Sequence, residues 1–155
     1  MTGEIVSAAA ALIGAAAGFA GTWWQQERER DRERRARAAE AATAFAKSLG
    51  GATDAIEVVV TDAEARATPS MDAVDQARWL AGEASGLRAL VKLQLPKDVA
   101  ETVDTAARSV RESGHFAHRL GDKKPSDTLV AEARASLTAA ELAITRYEDA
   151  ARPYV

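Results

Sequence analysis

The chain has 155 residues, which fits one ordinary domain, and about 130 residues would remain to bury a core if an N-terminal anchor were set aside. Its formal net charge of −3 excludes a global field that favours nucleic acid, so no nucleic-acid partner is expected. It has no cysteine, which excludes disulfides and thiolate metal sites and fits a reducing compartment.

In chain order, the first notable segment is Ile5–Trp24, IVSAAAALIGAAAGFAGTWW, which carries no charge. Twenty helical residues span about 30 Å, the hydrocarbon thickness of a bilayer. Trp23 and Trp24 close the segment, and indole rings favour the headgroup region. The strongly apolar residues before them are Ile5, Val6, Leu12, Ile13 and Phe19; the rest is mainly Ala and Gly. A cleaved signal peptide needs a positive start, and Met1-Thr2-Gly3-Glu4 supplies none. An interfacial helix needs a polar stripe, and only Ser7 and Thr22 are available. The pattern predicts a single transmembrane helix, with residues 1–25 as the anchor and Trp23 and Trp24 at the membrane interface. Ala10, Gly14, Gly18 and Thr22 recur every four residues and include a GxxxG spacing. Such a face lets two backbones approach closely in lipid, so it predicts self-association of the anchor.

Residues 26–37 follow as a charged helical stalk. Within ERERDRERRAR, Arg28, Arg30, Arg32, Arg34, Arg35 and Arg37 alternate with four acids. Opposite charges recur at i,i+3, as in Glu27–Arg30, Arg28–Asp31, Glu29–Arg32, Arg30–Glu33 and Asp31–Arg34, and support a solvated helix without an apolar face. Arginine beside a spanning helix also meets anionic lipid. No arginine precedes the anchor, so the positive-inside rule puts the N-terminus outside and the remainder in the cytoplasm.

Residues 38–155 read as a helical bundle with coiled-coil-like spacing. The first helix carries Ala38, Ala41 or Ala42, Phe45, Leu49, Ala52, Ile56, Val59 and Ala63 on one face, with Gly50-Gly51 as a candidate kink. The second starts after Thr68-Pro69-Ser70, with Thr68 as cap and Pro69 in the first turn. Its stripe is Met71, Val74, Ala77, Ala81, Ala84, Leu87 and Val91, with Trp79 placed at the flank of the core. Pro96 breaks the chain. The third helix carries Val99, Val103, Ala106, Val110, Ala117 and Leu120. After a turn at residues 121–125, the fourth starts near Ser126-Asp127 and carries Leu129, Ala133, Leu137, Ala140, Ile144 and Tyr147. Short connections predict antiparallel neighbours. The expected fold is all-α: one transmembrane helix continuing into an antiparallel up-down four-helix bundle.

The chemistry-bearing motifs are sparse. His115 and His118 share an arc with Glu112 and Asp122, but the i,i+3 spacing suits shared coordination poorly and Arg119 opposes a cation; they read as rim histidines. No phosphate-binding glycine loop and no GxSxG element is present. The stripe positions hold almost no inward polar residue. We expect no catalytic residue, cofactor or metal, and no enzyme.

The opening layout, IVSAAAALIGAAAGFAGTWW followed by QQERERDRERRARAAEA, resembles the KilB-like membrane proteins of actinobacteria that are associated with plasmid spread. The composition, with 37 Ala, 15 Arg against 5 Lys and no Asn, agrees with a GC-rich coding bias of that kind. The resemblance covers about the first 45 residues and implies a membrane role in plasmid or mobile-element spread; it assigns no functional residue. The expected function is a non-enzymatic, single-pass, membrane-anchored interaction or scaffold protein. Its expected partners are membrane lipid, a second copy of itself and an unknown protein. A holin-like membrane-perturbing phage protein and a ligand-binding helical bundle are the alternatives.

Overall fold

Residues 38–64 repeat apolar side chains in steps of four and three, and in the computed structural model that repeat is the buried seam of a long helix. Ala38, Ala42, Phe45, Leu49, Ala52, Ile56, Val59 and Ala63 are all buried. The structure describes residues 2–122 and 125–155, with side chains described for 23–121 and 125–155. The described residues form four helices, α1 (Thr2–Glu64), α2 (Met71–Gln94), α3 (Lys97–Asp122) and α4 (Asp127–Ala151), followed by a 3-10 turn at Arg152–Tyr154. No strand occurs among the described residues. The all-α expectation is met. The chain divides into two compact units, Met1–Arg37 and Ala38–Val155.

In the second unit, short links force successive helices to run antiparallel. α1 stops at a Schellman-type turn, in which Ala67 N–H reaches Asp62 O at 2.9 Å and Arg66 N–H reaches Ala63 O at 3.0 Å. Arg66 holds the left-handed position with φ 59°, which a glycine would occupy without strain. α2 is capped by Ser70, whose hydroxyl accepts from Ala73 N–H at 3.2 Å. Thr68 was expected to cap; the side chain that satisfies an orphan first-turn amide instead stands immediately before the helix, as capping geometry requires. α2 ends where Pro96 forces Leu95 into an extended conformation, φ −105° and ψ 155°. Ser126 caps α4 by accepting from Leu129 N–H.

Contacts fix the order around the bundle. Lys92 and Arg88 of α2 meet Asp104 of α3, while Gly114 of α3 sits against Ala81 of α2. Ser113 of α3 bonds Ser136 of α4 at 3.0 Å. Arg134 of α4 pairs with Glu64 of α1, and the later residue Tyr147 reaches back to the earlier Ala42. Thr105 of α3 and Ala143 of α4 line one groove, a second point for that pair. In the α2–α3, α3–α4 and α1–α4 pairs, rising residue numbers on one helix therefore match falling numbers on the other, and the neighbours are antiparallel.

Alanine dominates the seams and lets the helices approach closely. The largest fully buried side chains, Phe45, Leu49, Ile56, Leu120, Leu137 and Tyr147, fill the layers between. Three local expectations need correction. α1 runs unbroken through Gly50-Gly51, because a glycine pair lowers helix propensity without removing a hydrogen bond. Met71 is 54 % exposed, since it is the first residue after the cap and precedes the buried seam that starts at Val74. Trp79 is 65 % exposed rather than a flank of the core: the α2 seam runs Val74, Ala77, Ala81, Ala84, and Trp79 falls opposite it.

Among the described residues, no helix is long and apolar enough to cross a membrane. The expected anchor depends on the side chains of residues 5–22, including the face Ala10, Gly14, Gly18 and Thr22, and these lie outside the described side chains.

Candidate functional site

Two regions carry the candidate functional side chains. The first is the described part of the Met1–Arg37 unit. Every side chain from Trp23 to Arg37 is exposed. Trp23 and Trp24 are 62 % and 59 % exposed, so neither ring is used for packing among the described residues. The guanidinium of Arg28 lies over the Trp24 ring at 4.8 Å, one helical turn on. Arg30, Arg32, Arg34 and Arg35 make no ion pair among the described residues, and Arg37 pairs with Glu33 at 3.3 Å. The five i,i+3 pairs expected from the charge run are therefore absent. The acid-before-base i,i+4 spacing, the better geometry on a helix, is the one that closes. The result is a helical band with two exposed indoles at one end and arginines along the rest.

The second region is the surface between α2 and α3. A groove of about 360 Å³ is lined by Arg78, Ala81 and Gly82 from α2 and by Arg111, Gly114, His115 and His118 from α3. His115 is exposed and His118 half-buried, which places both at the rim expected of them. Among the described residues, no group of three or more His, Asp or Glu is placed to hold a metal ion. Asp122, the fourth member of the arc considered above, has its side chain outside the described residues.

Sequence reasoning found the two histidines but missed their arginine neighbours. Arg111, His115 and His118 follow at i, i+4 and i+7 and share one face of α3; that spacing was legible. Arg78 comes from a different helix, so only the α2–α3 packing brings it alongside.

The bundle interior holds no reactive constellation among the described residues. Ser113 donates to Ser109 O or shares a proton with Ser136, and Thr53 bonds the carbonyls of Leu49 and Gly50 within its own helix. Burial, with a smaller contribution from Glu148, pushes the Tyr147 hydroxyl up to about 12, and it is occupied by Ala42 O. Each of these groups is satisfied by backbone or by a neighbouring hydroxyl. On α2, Trp79, Leu90 and Leu93 stand outward from the core, while Val58, Leu142 and Val155 are exposed elsewhere in the unit.

No family model matches the chain, and no curated protein or solved structure matches it.

Proposed function

We propose that the protein is a non-enzymatic, single-pass membrane protein whose helical bundle serves as an interaction or scaffold module. The observation that carries this reading is the succession within α1 of an uncharged stretch, two exposed indoles and an arginine-rich band. An indole pair in water forfeits its burial, whereas at a headgroup layer each ring has an apolar and a polar side to satisfy. The arginines that follow match anionic headgroups on the cytoplasmic leaflet, with the N-terminus outside. The buried hydroxyls of Thr53, Ser113 and Tyr147 are spent on structural hydrogen bonds, which supports an interaction role over catalysis. Exposed Trp79, Leu90 and Leu93 give that module an apolar outer face. Self-association through Ala10, Gly14, Gly18 and Thr22 belongs to the same proposal, and so does a role in plasmid or mobile-element spread.

Membrane extraction tests the reading. The full chain should stay with the membrane pellet through alkaline carbonate. The double substitution Leu12→Arg and Ile13→Arg should release it, because two central charges cost about 5–7 kcal/mol on the insertion scale. A wild-type chain recovered in the supernatant would refute the anchor. For the association face, Gly14→Leu should weaken self-association in a membrane-helix two-hybrid assay.

A further inference from the structure

The groove between α2 and α3 has a chemistry that structural packing does not require. Its charged and donor groups are Arg78 on one wall and Arg111, His115 and His118 on the other, and among the described residues no carboxylate lines it. Three other arginines of the Ala38–Val155 unit are matched. Arg134 meets Glu64 and Glu57, Arg88 shares Asp104 with Lys92, and Arg152 meets Asp149. Arg78 and Arg111 have no ion pair among the described residues. Asp75 and Glu112, the nearest acids in sequence, are exposed and do not line the groove. Two guanidinium groups facing one cleft with no anion between them repel each other, and an anion in the cleft removes that cost.

Two glycines shape the floor of the groove. A Cβ at Gly114 would lie 3.0 Å from the Ala81 Cβ, so the close approach of α2 and α3 demands glycine there. Gly82 is different, because a Cβ built on it meets nothing within 4 Å. Glycine inside a helix is less favourable than alanine, and packing gives nothing in return at this position. What Gly82 does is leave the groove floor open beside Arg78. The volume, about 360 Å³, falls within the range of small-molecule sites, roughly 300–1,000 Å³.

We infer that this groove binds a phosphate group carrying an organic substituent, with Arg78 and Arg111 engaging its oxygens from opposite walls. Guanidinium forks match phosphate geometry in a bidentate manner. His115 adds a ring N–H donor at the rim, and the substituent lies over Gly82. The phosphate can come from a lipid headgroup or from a soluble phosphate ester, and the groove chemistry is the same for both. The inference concerns the bundle alone and stands whether or not α1 crosses a membrane.

The test uses the full chain in a maltoside detergent, which contains no phosphate. Inorganic phosphate, glycerol 3-phosphate and a water-soluble short-chain phosphatidylglycerol are titrated separately, with the amides of Gly82 and Gly114 followed by NMR. At least one should give saturable shifts at both glycines. The double variant Arg78→Gln with Arg111→Gln should weaken that binding by about tenfold or more, with helicity unchanged by circular dichroism. Gly82→Leu should block the substituted ligands while leaving both arginines in place. Tighter binding of the phosphatidylglycerol identifies a headgroup site, and tighter binding of glycerol 3-phosphate identifies a soluble ester; either result upholds the inference. Shifts that rise linearly without saturation for all three ligands would overturn it. So would a double variant that binds as well as the wild type.

Discussion

The hydroxyl of Tyr147 on α4 donates a hydrogen bond to the carbonyl oxygen of Ala42 on α1 at 3.0 Å. The same ring meets Phe45 edge-on, with centroids 5.1 Å apart and planes at 87°. One side chain thus couples the last helix to the start of the buried α1 seam. Tyr147→Phe should keep the ring contact and lose only the hydrogen bond. The Ala42 carbonyl retains its place in the α1 ladder, so the cost should be about 0.5–1.5 kcal/mol in urea unfolding. Tyr147→Ala should cost far more, about 3–5 kcal/mol, because it also opens a cavity against Phe45.

The same residue sets an alkaline dependence. Burial raises the folded-state pKa of Tyr147 to about 12, whereas an unfolded tyrosine ionises near about 10. The neutral hydroxyl is favoured in the fold, so its stabilisation is complete below about pH 10 and is lost as pH rises towards about 12. Thermal melts across that interval should fall for the wild type and fall less steeply for Tyr147→Phe. Equal slopes would contradict the assignment.

At the other end of the α1–α4 contact, Arg134 forms a two-point bridge to Glu64, 2.8 Å from Nε to Oε1 and 2.6 Å between the second pair. The hydrogen bonds from Arg134 hold the Glu64 carboxyl below its ordinary range. A depressed carboxylate stabilises the fold above its unfolded pKa, and that contribution disappears as pH falls through the folded value. Glu64→Gln should therefore flatten the acid side of the stability profile while leaving the alkaline side unchanged, as urea midpoints at a series of pH values would show.

The glycines should divide by what surrounds them. A Cβ at Gly121 would lie 2.7 Å from one methyl of Val74 and 3.1 Å from the other. Valine has no spare rotamer freedom to yield, so Gly121→Ala should destabilise by about 1–3 kcal/mol. Gly51 meets nothing within 4 Å and lies inside α1. Gly51→Ala should stabilise by about 1 kcal/mol. Opposite shifts in melting temperature are the expected readout.

Arg66 is the converse case. It occupies the left-handed position that ends α1, at a cost of roughly 1 kcal/mol for a residue with a Cβ. Arg66→Gly should relieve that strain and raise the melting temperature slightly, by less than the full cost because glycine also gains freedom in the unfolded chain.

The helical frame was legible in the sequence because its seams need only apolarity at the right period. Phe45, Leu49, Ile56 and Val59 announce one face of α1, and Val99, Val103 and Val110 one face of α3. The ends were legible where chemistry forces them, at Pro96 and Ser126. Other features depend on the third dimension. Trp79 is apolar enough for a core, and only the position of the α2 seam turns it outward. Arg66 gives no sign of a left-handed turn, since most such positions carry glycine. The groove escaped notice because Arg78 and Arg111 belong to different helices and meet only once α2 packs on α3.

The central claim is that residues 5–24 cross a membrane with the N-terminus outside and the bundle inside. The chain has no cysteine, so single substitutions report cleanly. The decisive measurement is labelling of intact cells by a membrane-impermeant maleimide, comparing Thr2→Cys with Thr61→Cys. Thr61 lies on the exposed side of α1, so its cysteine is reachable whenever the reagent has access. The account predicts that position 2 labels in intact cells and position 61 only after lysis. Labelling of position 61 from outside would reverse the topology, and labelling of neither position until lysis would contradict the spanning helix.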